Sequence, residues 1–158
     1  MKIKIYVIGK AKSFYELGSE EYVKRLSSYS QVEVVELKDE SLPDNPNESE
    51  IKKAKDAEGK KVLNKLSDKD YLIALDLNKK EMVSEEFAKY LSGKLESNGS
   101  KISFVIGGSY GLSDELKNRV NDSISLSKLT FPHQLARLIL LEQLFRAFKI
   151  LNNETYHK

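Results

Sequence analysis

Short apolar runs alternate with stretches of helical period along the whole chain. Ile3–Ile8 (IKIYVI), Val32–Leu37 (VEVVEL), Tyr71–Leu77 (YLIALDL), Ile102–Ile106 (ISFVI) and Ser123–Ser127 (SISLS) read as strands. Between them, Ser13–Ser28 places Phe14, Leu17, Tyr22, Val23 and Leu26 near helical spacing, with Gly18 weakening the helix. Glu48–Leu66 carries Ile51, Ala54, Val62, Leu63 and Leu66 on its drier side. Asn47, followed three residues on by Glu50, has the form of a capping box for it. Ser84–Leu95 is predicted as a helix capped by Ser84, with Glu85 and Glu86 in the first turn. Ser113–Arg119 repeats that acidic start with Asp114 and Glu115, and Pro132 opens a last helix to Leu151. Asp39–Ser49, with Pro43 and Pro46, is the one clear loop. Strands alternating with helices predict an α/β fold, a mostly parallel sheet flanked by helices, and a single domain over residues 1–158.

The last helix departs from the amphipathic norm. From Leu135 to Leu151 only Arg137, Glu142, Gln143, Arg146 and Lys149 are polar, more apolar surface than one stripe needs. Such a helix is either central to the core or packed on another chain. Glu142 and Arg146 stand four apart in the order that favours a helical ion pair.

Composition narrows the picture. The 158 residues are 40% hydrophobic and 32% charged, as in an ordinary folded domain. There is no cysteine, which removes disulfides, thiolate metal sites and cysteine nucleophiles. The start MKIKIYVIGKAK lacks the apolar core of a signal peptide, and no apolar run spans a bilayer. A cytoplasmic protein without a membrane partner is expected. With 26 basic and 24 acidic residues the net charge is +2, too even for non-specific attraction to nucleic acid. The lysine-rich stretch Lys52–Lys65, interleaved with Asp56 and Glu58, reads as a solvated face.

Two loops follow predicted strands, where open α/β sheets bind ligands. Gly107-Gly108-Ser109-Tyr110-Gly111 is either a tight turn or a ligand loop, since it matches neither the dinucleotide fingerprint nor a Walker loop. Leu126-Ser127-Lys128-Leu129-Thr130-Phe131-Pro132-His133 joins a strand to the last helix, with His133 either a packing residue or part of a pocket. Two distant histidines give no metal site, and no nucleophile elbow supports a serine hydrolase. The closing Tyr-His-Lys is unusual for a chain end, although tails usually fray.

Taken together, FVIGGSYGL (104–112), SLSKLTFPHQLARLILLEQLFRAFKI (125–150) and YHK (156–158) resemble the bacterial ribosomal pseudouridine N3-methyltransferases of the SPOUT class. The start KIKIYVIGKAK is similar to that family's first strand and turn, so the likeness spans essentially the whole chain. It implies a C-terminal deep trefoil knot, a rare exception to ordinary connection rules. It also implies a homodimer, S-adenosylmethionine as cofactor, and a pseudouridine of 23S ribosomal RNA within the ribosome as substrate. Carried over by position, Leu75, Gly107, Leu126, Ser127, Lys128, Leu129, Thr130 and Phe131 would hold the cofactor. Glu142, Arg146, Tyr156 and His157 would serve catalysis, and His133 and Lys158 would contact substrate. A non-catalytic ribosome-binding factor on the same fold is the alternative. A nucleotide-binding oxidoreductase is disfavoured by the missing fingerprint.

Overall fold

The computed structural model describes residues 1–158. Five parallel strands form one sheet in the order β2-β1-β4-β3-β5. They are β1 (Lys2–Ile8), β2 (Gln31–Leu37), β3 (Leu72–Leu75), β4 (Lys101–Ile106) and β5 (Asp122–Ile124). The helices are α1 (Ser13–Leu26), α2 (Glu48–Leu63), α3 (Ser84–Ser97), α4 (Asp114–Arg119) and α5 (His133–Leu151).

Side-chain alternation along the central strands divides the core in two. Ile3, Ile5 and Val7 of β1 and Ile102, Phe104 and Ile106 of β4 face a cluster built with residues of α1, α3 and α5. Tyr6, Ile8, Leu72, Ala74 and Val105 point the other way, onto Val62 of α2 and Leu116 of α4. Both faces of the sheet are covered, which is why β1 and β4 end in the apolar runs Ile5–Ile8 and Phe104–Ile106 rather than alternating. No helix is long and apolar enough to cross a membrane.

The apolar excess of α5 is explained by its place. It packs on α1, α3 and β4, and Leu140, Leu141 and Leu144 are fully buried. Arg137 falls on the same buried stripe and is only 2% exposed. Its Nη1 donates to Glu36 Oε2 at 2.7 Å and its Nη2 to the Gly9 carbonyl at 2.9 Å. Glu36 Oε2 also accepts the Ala11 amide at 2.8 Å, so one carboxylate ties the turn after β1 to the start of α5.

The expected elements are all present, with local differences at their ends. The capping box forms as predicted, Asn47 accepting from the Glu50 amide and Glu50 from that of Asn47. The β3 strand stops at Leu75 because Asp76 starts a turn, its side chain accepting from Asn78 N–H at 3.0 Å. The β5 strand ends at Ile124, and Ser125 keeps only an isolated bridge to Glu81. The cap of α3 is Val83 rather than Ser84, whose hydroxyl instead donates to Gln143 Oε1 at 2.8 Å.

Candidate active site

The C-terminal tail is not frayed. Asn153 just past α5 adopts the left-handed conformation, with φ of 53°. The Asn153 amide bonds to the Ile150 carbonyl at 3.1 Å and the Glu154 amide to that of Lys149 at 2.9 Å. This pair of bonds is the Schellman motif, and asparagine is the residue after glycine best suited to its left-handed position. The chain therefore reverses. Tyr29 and Lys149 grip the Glu154 carboxylate at 2.9 Å and 2.8 Å, directing the last residues back along α5.

That reversal places Tyr156 and His157 beside Glu142 and Arg146. Glu142 Oε1 accepts from Arg146 Nε at 2.9 Å and Nη2 at 2.6 Å, and from the Tyr156 hydroxyl at 3.3 Å. The second Glu142 oxygen takes the Gln143 amide at 2.7 Å. Arg146 Nη1 lies 3.1 Å from His157 Nδ1, and His157 Nε2 lies 2.6 Å from Glu85 Oε1. Arg146 Cζ stands 4.9 Å from the Tyr156 ring centroid, and Phe145 meets that ring edge-on at 5.0 Å. Burial foremost, then the Tyr22 hydroxyl and the Glu142 charge, push the Tyr156 hydroxyl up to about 12. Tyr156 thus remains a donor at neutral pH. Chiefly through the Glu142 bond, the Arg146 guanidinium is held above its ordinary value. The four residues assigned to catalysis are one connected network.

A cleft of about 430 Å³ opens beside this network. Its walls include Met82, Val83, Phe87, Leu126, Phe131 and His157. The loop after β5 and the chain's tail, more than two dozen residues apart in sequence, therefore share one concavity. Lys128 N–H donates to Glu81 Oε1 at 2.7 Å and Leu129 N–H to Ser127 Oγ at 3.0 Å. The amides of Leu126, Ser127, Thr130 and Phe131 bond to no protein acceptor.

Strand register brings the other cofactor candidates to the same edge. Leu75 pairs with Ile124, and Ala74 with Val105, so Leu75 stands level with the ends of β4 and β5. Gly107 lies one step beyond β4, the strand between β1 and β3. A side chain at Gly107 would meet the Gly111 backbone at 2.9 Å and Leu112 at 2.9 Å. Its glycine is thus required by the tight turn itself, in which Gly111 N–H bonds to the Gly108 carbonyl at 3.1 Å. Gly107 and Leu75 do not line the 430 Å³ cleft.

His133 is elsewhere. It sits against Gly9, where a Cβ would approach its Nε2 at 3.3 Å, and lines a smaller cleft of about 170 Å³ with Gly108, Tyr110 and Glu58. The structure does not join it to the tail network. Lys158 is exposed at the chain's end.

Glu85, Ser84, Gln143 and Arg137 were not singled out from the sequence as site residues. Glu85 meets His157 across 72 positions, a pairing no local pattern signals. The signal for the tail was present, in the asparagine pair closing α5.

A family model described as "Predicted SPOUT methyltransferase" matches residues 1–157. The chain belongs to the SPOUT methyltransferase family. It is 52% identical over 159 residues to the ribosomal RNA large subunit methyltransferase H of Bacillus cytotoxicus, covering 100% of both chains. It is 51% identical over 159 residues to the Bacillus thuringiensis protein of that name, again covering 100% of each. Among solved structures, a probable methylase family protein from Haemophilus influenzae matches with a TM-score of 0.52 at 18% identity. That match covers 99% of this chain and 70% of that one and shows a shared fold alone.

Proposed function

We propose that the protein uses S-adenosylmethionine to methylate N3 of a pseudouridine in 23S ribosomal RNA, acting as a homodimer on the assembled ribosome in the cytoplasm. One observation carries this reading: the Leu126–Phe131 loop and His157 line the same cleft. The full-length identity to ribosomal RNA large subunit methyltransferases supports the choice of RNA. Segment 125–133 runs beside loop 76–83, through the Glu81–Ser125 bridge and the Ser125 N–H bond to Lys80 O, and this supports a threaded, knotted C-terminus. Exposed Phe14 and Leu17 on α1 support a second copy as partner. All of this fits one domain over residues 1–158.

The cleft fits an adenosyl group. Flat heteroaromatic rings want aliphatic and aromatic walls and a few backbone bonds. Leu126, Phe131 and Met82 supply the walls, and the unpaired amides of Leu126, Ser127, Thr130 and Phe131 supply donors. Lys128, Leu129 and Thr130 continue the loop as an exposed rim, and Leu75 and Gly107, outside the cleft lining, stand at the strand ends of the same sheet edge. When bound, S-adenosylmethionine supplies an electrophilic methyl carbon on a sulfonium.

The protein's own part is to bind the base, remove its imide proton and steady the charge left behind. Arg146, oriented by two bonds to Glu142, offers Nη1, which stands 3.1 Å from His157 Nδ1, as the donor for the carbonyl oxygens flanking N3. His157 Nδ1 accepts the proton once Arg146 turns from it to the substrate oxygen. Tyr156 offers an aromatic face to the base and a hydroxyl that stays protonated. Lys158 meets phosphate, and His133 contacts the RNA from its separate, smaller cleft. Near-neutral charge suits recognition of a preformed ribosomal surface.

Removing Tyr156–Lys158 tests the division of labour. Methyl transfer to ribosomes should be abolished while S-adenosylmethionine still binds, measured by calorimetry. Equal loss of both would overturn it, and retained methylation would leave the tail without a catalytic role.

A further inference from the structure

Of the groups around the cleft, only one carboxylate meets the imidazole from the side opposite the arginine. We propose that Glu85 is the positioning residue of His157: it fixes the ring as the Nε2–H tautomer and anchors the tail over the cleft. The inference rests on the function proposed above for its catalytic meaning, but not for the tautomer or the anchoring.

The tautomer follows from what each partner is able to give. A guanidinium has donors and no acceptor, so the 3.1 Å contact from Arg146 Nη1 requires a lone pair on Nδ1. The ring hydrogen is then on Nε2, 2.6 Å from a Glu85 oxygen that accepts it. Glu85 is suited to remain ionised. It stands in the acidic first turn of α3, where the helix end favours negative charge. A bond from its own backbone amide, then the His157 contact, hold its carboxyl below the usual range. The side chain is half-exposed, so the carboxylate keeps water on its far side.

This arrangement orders the proton transfer. Nδ1 is the one basic ring nitrogen, and Arg146 covers it until a substrate oxygen draws the guanidinium away. The N3–H bond of the base then breaks and a bond from that proton to Nδ1 forms. The electron pair stays on N3. The ring becomes an imidazolium whose Nε2–H still faces the Glu85 carboxylate, which stabilises the new positive charge. Glu85 lines the cleft wall, and in this scheme it acts on the proton transfer through His157 alone.

The chain has two histidines, so 15N-histidine labelling of the full-length protein resolves both rings, and a His133→Gln spectrum assigns them. Long-range 1H–15N correlation of the free protein at neutral pH should show His157 with a pyridine-type Nδ1 and a pyrrole-type Nε2. Glu85→Ala should give a mixture of tautomers, and Glu85→Gln, whose amide oxygen also accepts, should restore the Nε2–H form. With unmodified ribosomes, Glu85→Ala should lower kcat by about 10²-fold, the lower end of what acid–base groups contribute. Affinity for S-adenosylmethionine should fall far less than kcat, and Glu85→Gln should restore the tautomer but only part of the rate, because its neutral amide does not offset the imidazolium charge. An Nδ1–H tautomer in the native protein, or one that Glu85→Ala does not alter, would overturn the proposal. The spectrum is read without RNA, so a protein that methylates a different site would still pass it. A protein with the expected target and an unanchored His157 would fail it.

Discussion

Replacing Arg137 by methionine keeps most of the side-chain volume and removes the charge that holds α5 to the first turn of the sheet edge. Two bonds are lost, to Glu36 at 2.7 Å and to the Gly9 carbonyl at 2.9 Å. A buried carbonyl left unpaired costs roughly 1–3 kcal/mol, and a bond to a charged group contributes about 1.5–3 kcal/mol. The second figure is reduced here because the Glu36 side chain is 38% exposed and regains water when its partner goes. Arg137 Nε is buried without a partner, and its removal offsets part of the loss. The net expectation is a destabilisation of about 2–3 kcal/mol, or roughly 4–12 °C in Tm for a chain of this length. Urea unfolding should show a lower midpoint with an unchanged slope. Glu36→Gln should be non-additive with it, because the two share one bond. An Arg137→Met protein within about 0.5 kcal/mol of the native one, the range of ordinary surface substitutions, would refute the reasoning.

Burial, with Asp39 and Glu40 nearby, raises the Glu58 carboxyl above its ordinary 4.5. Stability is then complete below about 4.5, where both states hold the proton, and falls as pH rises through the raised value. Glu58→Gln should therefore be more stable than the native protein at neutral pH and equal to it in acid, as Tm against pH would show. A gap independent of pH would count against this. The left-handed Asn153 makes a second test: a β-branched residue there costs about 1–2 kcal/mol, so Asn153→Val should shift tail docking about tenfold toward the undocked form. Faster hydrogen exchange at the Glu154 amide and reduced methylation should accompany intact cofactor binding, whereas Asn153→Gly should behave like the native protein. Native exchange rates in Asn153→Val would refute the tail's dependence on that turn.

The sheet was legible because both faces of β1 and β4 are covered, which writes the apolar runs Ile5–Ile8 and Phe104–Ile106, interrupted before them only by Lys4 and Ser103. Strand order was not, since pairing β1 with β4 depends on contacts across a hundred residues. The Glu142–Arg146 pair was visible as a spacing of four on one helix, and it forms. Its extension to His157 and Glu85 was hidden, because it requires the Schellman turn to fold the tail back and α3 to lie beside α5. Arg137 was readable in principle: it shares a helical face with Leu141, Leu144 and Phe148, where a charge must have a buried partner. Gly107 suggested close approach of a ligand, and the structure supplies a nearer cause in the Gly111 backbone.

The central claim is methyl transfer to one nitrogen of one ribosomal base. Its most direct test incubates the purified protein with methyl-labelled S-adenosylmethionine and ribosomes that lack the modification, followed by mass spectrometry of 23S ribosomal RNA nucleosides. Label in N3-methylpseudouridine from a single site is the predicted result. No transfer to these ribosomes, with cofactor binding intact, would contradict the account and leave a ribosome-binding protein without that activity.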